Sequence, residues 1–208
     1  MQITENLKMI TLQWNIKKTD DKHVDSINKS DKDIANRLSI ADRVDVMPKT
    51  EAYITLKDHK DDFQNKLPCR LINPNKCELG KVSKQILERI NNQLRIKLKY
   101  NQWRKTKDVI NWFGEIEDKG RTSFIQADID AFYPNISEEL LNNAIRFAKS
   151  YVTIPDEDID IIKKTKQNLL FSDGKPWSKR GNSECDVTMG SWDGAEVCEL
   201  CGLYKCNI

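Results

Sequence analysis

The chain has 208 residues, enough for one domain or one and a half, with 38% hydrophobic residues, 32% charged residues and a formal net charge of +2. No run of about 18 apolar residues occurs, which excludes a membrane-spanning helix, and the N-terminal MQITENLKMI lacks a basic stretch followed by an apolar one, so an intracellular protein is expected. Cys69, Cys77, Cys185, Cys198, Cys201 and Cys206 are accordingly expected as reduced thiols.

The near-neutral total hides an asymmetry. Residues 49–107 carry 15 Lys and Arg against 6 Asp and Glu, and the rest of the chain carries 19 against 26, so a segment of +9 adjoins segments of −7. Such a distribution fits a surface for a polyanion beside a site for a cation, or simply a solvated lysine-rich helix.

Residues 1–30 are polar and read as an extended arm. Ser30 is an N-cap candidate with Asp33 three residues on, and Ile34, Leu38 and Ala41 then form a helical stripe closed by Pro48. AYITL (52–56) and CRLI (69–72) read as the two strands of a basic finger whose tip is the polar KDHKDDFQNKLP, and Asn73-Pro74-Asn75 ends the second strand. Val82, Ile86, Ile90, Leu94 and Leu98 recur every four residues. They predict a long helix with Lys81, Lys84, Arg89, Arg95, Lys97 and Lys99 on its other faces, available to a phosphate backbone. A further helix follows Thr106, with Val109, Ile110, Phe113 and Ile116 on its apolar side, and Asp118-Lys119-Gly120 is a turn.

The next stretch, SFIQADIDAFYPNI (123–136), predicts a central strand. Phe124, Gln126 and Asp128 point to one side and Ile125, Ala127 and Ile129 to the other, and Pro134 closes it. A carboxylate at the end of an apolar strand, followed by Phe132 and Tyr133, points to a metal or phosphate site beside a flat surface able to hold a nucleotide. Ser137 is an N-cap for a helix with Leu140, Leu141, Ala144, Ile145, Ala148 and Val152 on its buried side, and Pro155 opens another, whose Asp156, Glu157 and Asp158 suit its N-terminal dipole. Asp173-Gly174 marks a two-residue hairpin, and Met189-Gly190-Ser191 is a small-residue loop before a helix carrying Ala195, Cys198 and Cys201. Cys185, Cys198, Cys201 and Cys206 offer four thiolates to zinc in principle. The missing second C-x-x-C and the helical spacing favour Cys198 and Cys201 as small apolar residues of a helix face.

Taken in order, AYITLKDHK, CRLINPNK, ADIDAFYPNI and VTMGSWDGAE resemble the fingers and palm of retroelement reverse transcriptases, of the non-LTR or Penelope-like kind, over about residues 50–204. The resemblance implies an α+β fold in which an antiparallel palm sheet is flanked by helices. An N-terminal arm and helix (1–48) would precede a basic fingers-like region (49–118) and a partial palm (119–208). It implies that Asp128, with the backbone carbonyl of Ile129, holds catalytic Mg²⁺. Lys57 and Arg70 grip the triphosphate, Phe132 and Tyr133 lie at the sugar with Tyr133 excluding a 2′-hydroxyl, and Gly190 supports the nucleotide from the motif B loop. The implied partners are an RNA template, a DNA primer and a dNTP. Two departures stand out: Met189 occupies a position where many of the family have Gln, and no aromatic-x-Asp-Asp motif follows residue 128. Two-metal nucleotidyl transfer requires carboxylates on both strands to hold ions about 3.5–4 Å apart. The expectation is therefore a reverse transcriptase fragment inactive as this chain. The alternatives are a non-catalytic nucleic-acid-binding protein of retroelement origin and a zinc-stabilised interaction module.

Overall fold

The structure, a computed structural model, describes residues 16–44, 49–58, 69–74, 78–100, 102, 103, 105–126, 128, 129, 132–179, 185 and 187–207. The fold is mixed α+β. In chain order it comprises β1 (Ile16–Lys18), α1 (Asp21–Arg37), β2 (Tyr53–Leu56), β3 (Cys69–Ile72), α2 (Glu78–Leu98), α3 (Thr106–Glu115), a 3₁₀ turn at Lys119–Arg121, α4 (Phe132–Asn135), α5 (Glu138–Lys149), α6 (Asp156–Lys164), β4 (Leu170–Ser172), β5 (Lys175–Lys179) and α7 (Gly194–Lys205).

The strands form two small antiparallel sheets, β1-β5-β4 and β2-β3. Asp173 and Gly174 both take positive φ, at 53° and 69°, as a type I′ turn requires, so the β4–β5 hairpin forms where the Asp-Gly pair predicts it. Glu51 ties the two sheets together. It bridges Phe171, and its carboxylate accepts from the amides of Asp173 (2.9 Å) and Gly174 (2.8 Å) at the turn.

The main hydrophobic core is built chiefly from four helices: Ile34 and Ala35 from α1, Leu79, Ile86, Leu87, Ile90 and Leu94 from α2, Leu141, Ala144, Ile145 and Ala148 from α5, and Val197, Leu200 and Cys201 from α7. Helix α7 packs against both α2 and α5 and is apolar on most sides, as a helix inserted between two others must be. Ser137 caps α5 by accepting from the Leu140 amide at 3.1 Å, as its sequence position predicts.

Two expectations are corrected. Residues 16–30 are not an extended arm. β1 pairs with β5, and α1 starts at Asp21, capped by Asp20, whose carboxylate accepts from the His23 amide at 2.9 Å; Ser30 lies inside the helix. Val24 and Ile27 pack on Leu169 and Phe171. Four well-spaced apolar residues are enough to dock a helix whose remaining faces are polar, which is why composition alone misread it. The second correction concerns the central strand. Residues 122–126, 128 and 129 belong to no strand, and Phe124, Ile125 and Ile129 are exposed. A strand is stable only when a neighbour accepts its amides and something covers its apolar face, and no strand pairs with this segment among the described residues. Pro48, the hairpin tip (59–68) and Asp130 lie outside the described residues.

Candidate functional site

The hairpin β2–β3 sets the first part of the site. Its register pairs Tyr53 with Ile72, Ile54 with Leu71, and Thr55 with Arg70. Leu71 is buried, so Ile54 and Leu71 form the inner face, and Tyr53, Thr55, Arg70 and Ile72 share the outer one. Lys57 stands two residues beyond Thr55. The two-residue period puts it on the outer face diagonally across from Arg70, a separation of about 7–8 Å between such neighbours. Arg70 meets no carboxylate among the described residues; Asp61 and Asp62 lie outside them. Arg70 is exposed, and Lys57, just past the end of β2, is half-buried.

That face runs directly into the loop before α7. Gly190 has φ +110°, and a Cβ there would stand 2.4 Å from the carbonyl oxygen of Asn73 and 3.4 Å from Ile72 Cγ2. Only glycine permits this approach. The amide of Asn73 donates to the Met189 carbonyl at 2.9 Å, and its buried side-chain Nδ2 donates to the Leu169 carbonyl at 3.0 Å. Asn73 therefore locks the base of the hairpin to the loop.

The far side of the loop meets the aromatic pair. A Cβ on Gly194 would lie 2.7 Å from Ser191 Oγ and 3.2 Å from Tyr133 Cε1. Tyr133 is half-buried and shares a hydrogen bond with Cys198; burial and then Cys198 raise its hydroxyl above the usual tyrosine range. Phe132 packs against the core and lines a cavity of about 350 Å³ with Tyr100, Gln102 and Leu203. The loop thus meets Ile72, the neighbour of Arg70, at its Gly190 end, and the helix it leads into meets Tyr133 at the buried Gly194.

The loop is held by a buried polar network that sequence reasoning missed. Lys166 and Asp193 are each 1% exposed and form an ion pair at 2.6 Å. The other Asp193 oxygen accepts from Ser83 Oγ at 2.5 Å and from Thr165 Oγ1 at 2.9 Å. Trp192 closes the third side. Its ring lies 3.2 Å from where a Gly80 Cβ would be, and Lys81 sits over it at 5.1 Å. Pinned by β3, α2 and the end of α6, the Met189–Asp193 loop is a preorganised element. None of these partners is close in sequence, and no short motif announces them.

The basic face of α2 is less available than its sequence implies. Lys84 pairs with Glu88 and Glu196, Arg89 with Asp158, Arg95 with Glu199 and Lys81 with Glu78. Part of the +9 surplus is thus neutralised by the acidic half of the same chain, leaving Lys97 and Lys99 without an acidic partner among the described residues.

Asp128 and Ile129 are exposed in irregular backbone. A divalent ion needs several oxygen ligands converging on one point. Among the described residues no group of three or more His, Cys, Asp and Glu converges in that way. The described residues thus do not fit a magnesium site, and the same holds for a zinc site at the cysteines. Cys198 and Cys201 lie in the core, where burial pushes their thiols up to about 11 and about 12.

No protein-family model matches the chain, and neither a curated protein nor a solved structure matches it. Among the described residues no helix is long and apolar enough to cross a membrane.

Proposed function

We propose that the chain is a fingers and partial-palm portion of a retroelement-type RNA-directed DNA polymerase, and that the surface from Lys57 and Arg70 through Gly190 to Tyr133 receives a deoxynucleoside triphosphate. The observation that supports this reading is the seating of the Gly190 loop on Asn73 and Ile72 at the base of the hairpin that carries Arg70, with Tyr133 against Gly194 just after that loop. The chemistry suits the ligand: Arg70 offers a planar fork to phosphate oxygens, Lys57 a compact second charge, and the Tyr133 ring a flat wall for a sugar. Template RNA and primer DNA are the macromolecular partners of such a surface. Mg²⁺ enters this proposal only as the counter-ion of the triphosphate.

A second reading is favoured by a specific observation. Asp128 stands in exposed irregular backbone, and among the described residues no group of three or more His, Cys, Asp and Glu could hold a metal ion, which suits a non-catalytic nucleic-acid-binding protein of retroelement origin.

Titration of the purified chain with a fluorescent deoxynucleoside triphosphate tests the first reading. Charge-assisted hydrogen bonds contribute about 1.5–3 kcal/mol each, so Arg70→Ala should weaken binding by about tenfold or more, and Lys57→Ala by a similar factor. Tyr133→Ala should narrow the preference for the deoxy over the ribo form. Equal affinity of wild type and Arg70→Ala for the triphosphate defeats the reading. Primer extension that requires Asp128 would overturn the second one.

A further inference from the structure

Helix α3 is amphipathic, yet none of its residues is buried. Its apolar side gathers an aromatic cluster outside the core. Trp103 and Trp112 have ring centroids 4.6 Å apart, Trp112 meets Phe124 edge-on at 5.7 Å, and Phe113 lies 6.2 Å from Phe124. Trp103, Phe113 and Phe124 remain 41%, 44% and 56% exposed. Rings that touch one another and still face water are an unusual way to leave aromatic surface, since monomeric proteins rarely expose large contiguous apolar patches.

The charge around the cluster identifies what would cover it. Residues 89–107 contain Arg89, Arg95, Lys97, Lys99, Arg104, Lys105 and Lys107 and no Asp or Glu. Arg89 and Arg95 are used internally by Asp158 and Glu199, whereas Lys97, Lys99 and Lys107 meet no acidic side chain among the described residues. The chain folds back after α2, with Arg95 Nη1 donating to Gln102 Oε1 at 2.9 Å, so Trp103 sits beside the last turn of α2, where these lysines lie. The acids near α3 are at its ends. Asp108 accepts from the Lys105 amide, and Asp118 pairs with Arg121; Glu115 and Glu117 lie at the far end, beyond Phe113. Lys119 donates to the carbonyls of Gly114 and Ile116 and stands 5.4 Å from the Phe113 ring centroid.

Exposed rings beside unpaired lysines match a single-stranded nucleic acid, whose bases stack on aromatic faces while its phosphates follow the cations. We infer that the Trp103–Trp112–Phe124 cluster is a stacking platform for unpaired nucleotides, distinct from the Arg70–Gly190–Tyr133 surface and independent of whether that surface takes a triphosphate. A duplex offers no unstacked bases and gains only the electrostatic part.

The test is binding of the full chain to a labelled oligothymidylate, an oligouridylate, a duplex of equal length and heparin, with sedimentation of the free protein. Trp103→Ala and Phe124→Ala should each weaken single-strand binding by at least about fivefold, the lower end for loss of one stacked base. Trp103→Phe should retain most of the affinity. Duplex and heparin binding should be nearly unchanged. Arg70→Ala should leave single-strand binding intact, which separates this inference from the triphosphate reading. Equal losses on single strand, duplex and heparin would overturn the platform. A wild-type dimer that Trp103→Ala converts to monomer, with unchanged oligonucleotide affinity, would also overturn it and assign the cluster to contact between copies.

Discussion

Replacing Gly190 by alanine tests whether the loop before α7 is truly seated on the hairpin. At φ +110° an alanine is strained by about 1–3 kcal/mol before any contact is considered. Its Cβ would also stand 2.4 Å from the Asn73 oxygen and 3.1 Å from the Asn73 carbonyl carbon, which are backbone atoms and cannot swing aside. Relief requires moving the end of β3 or the loop. Either motion breaks the Asn73 amide bond to the Met189 carbonyl, and losing a buried hydrogen bond costs about 1–3 kcal/mol. The combined destabilisation is about 4 kcal/mol, which for a chain of this size lowers Tm by roughly 8–16 °C. Two other glycines serve as controls. Gly174 has φ +69° but open space around its Cβ position, so Gly174→Ala should cost only about 1–2 kcal/mol. Gly202 lies within α7 with nothing within 4 Å, so Gly202→Ala should stabilise by about 0.5–1 kcal/mol through helix propensity. Thermal melts followed by far-UV circular dichroism give the order directly. A Gly190→Ala protein that melts within about 2 °C of wild type, or above Gly174→Ala, refutes the close approach and with it the seating of the loop.

The buried ion pair makes a second prediction: Lys166→Met should destabilise by about 3–5 kcal/mol because it strands the Asp193 carboxylate, while the double change Lys166→Met with Asp193→Leu should recover part of that loss. Urea titration measures both, and equal stability of single and double variants would show that the pair is not coupled. Asp31 makes a third. Burial on α1 outweighs its 4.0 Å pairing with Lys164 and raises its carboxyl to about 6. Because the folded value lies above the unfolded one, its stabilising contribution is full below about pH 4 and is lost as pH rises through 6. Asp31→Asn should therefore raise stability at neutral pH by on the order of 2–3 kcal/mol, with the advantage shrinking toward pH 4. A gain that does not change with pH would contradict this assignment.

How much of this was legible in the sequence depended on how local the signal was. The Asp173-Gly174 turn, the Ser137 cap and the four-residue periodicity of α2 act within a few residues of the chain, and each formed where its chemistry placed it. The partnership of the two finger strands followed from a strand-turn-strand pattern that needs no tertiary knowledge. The first half of helix α1 was illegible because Val24 and Ile27 are sparse apolar residues that acquire meaning only against Leu169 and Phe171, more than a hundred residues away.

The segment at 123–129 shows the opposite error. Its composition favours a strand, yet strand formation depends on a neighbour that local pattern cannot supply, and the described residues place Phe124 against Trp112 and Phe113 instead. Charge misled in a similar way, because a count of lysines and arginines along α2 contains no information about the acids of α6 and α7 that neutralise them. The sequence by itself determined the helices with strong periodicity, the tight turns and the residue types on the finger. Only the tertiary structure decided that Asn73, Ser83, Thr165, Lys166 and Asp193 hold one loop, and that Gly190 meets a backbone carbonyl. Those contacts join positions separated by up to 117 residues along the chain. Hydrogen bonds and close backbone approaches at that range leave no periodic trace in the residues between them.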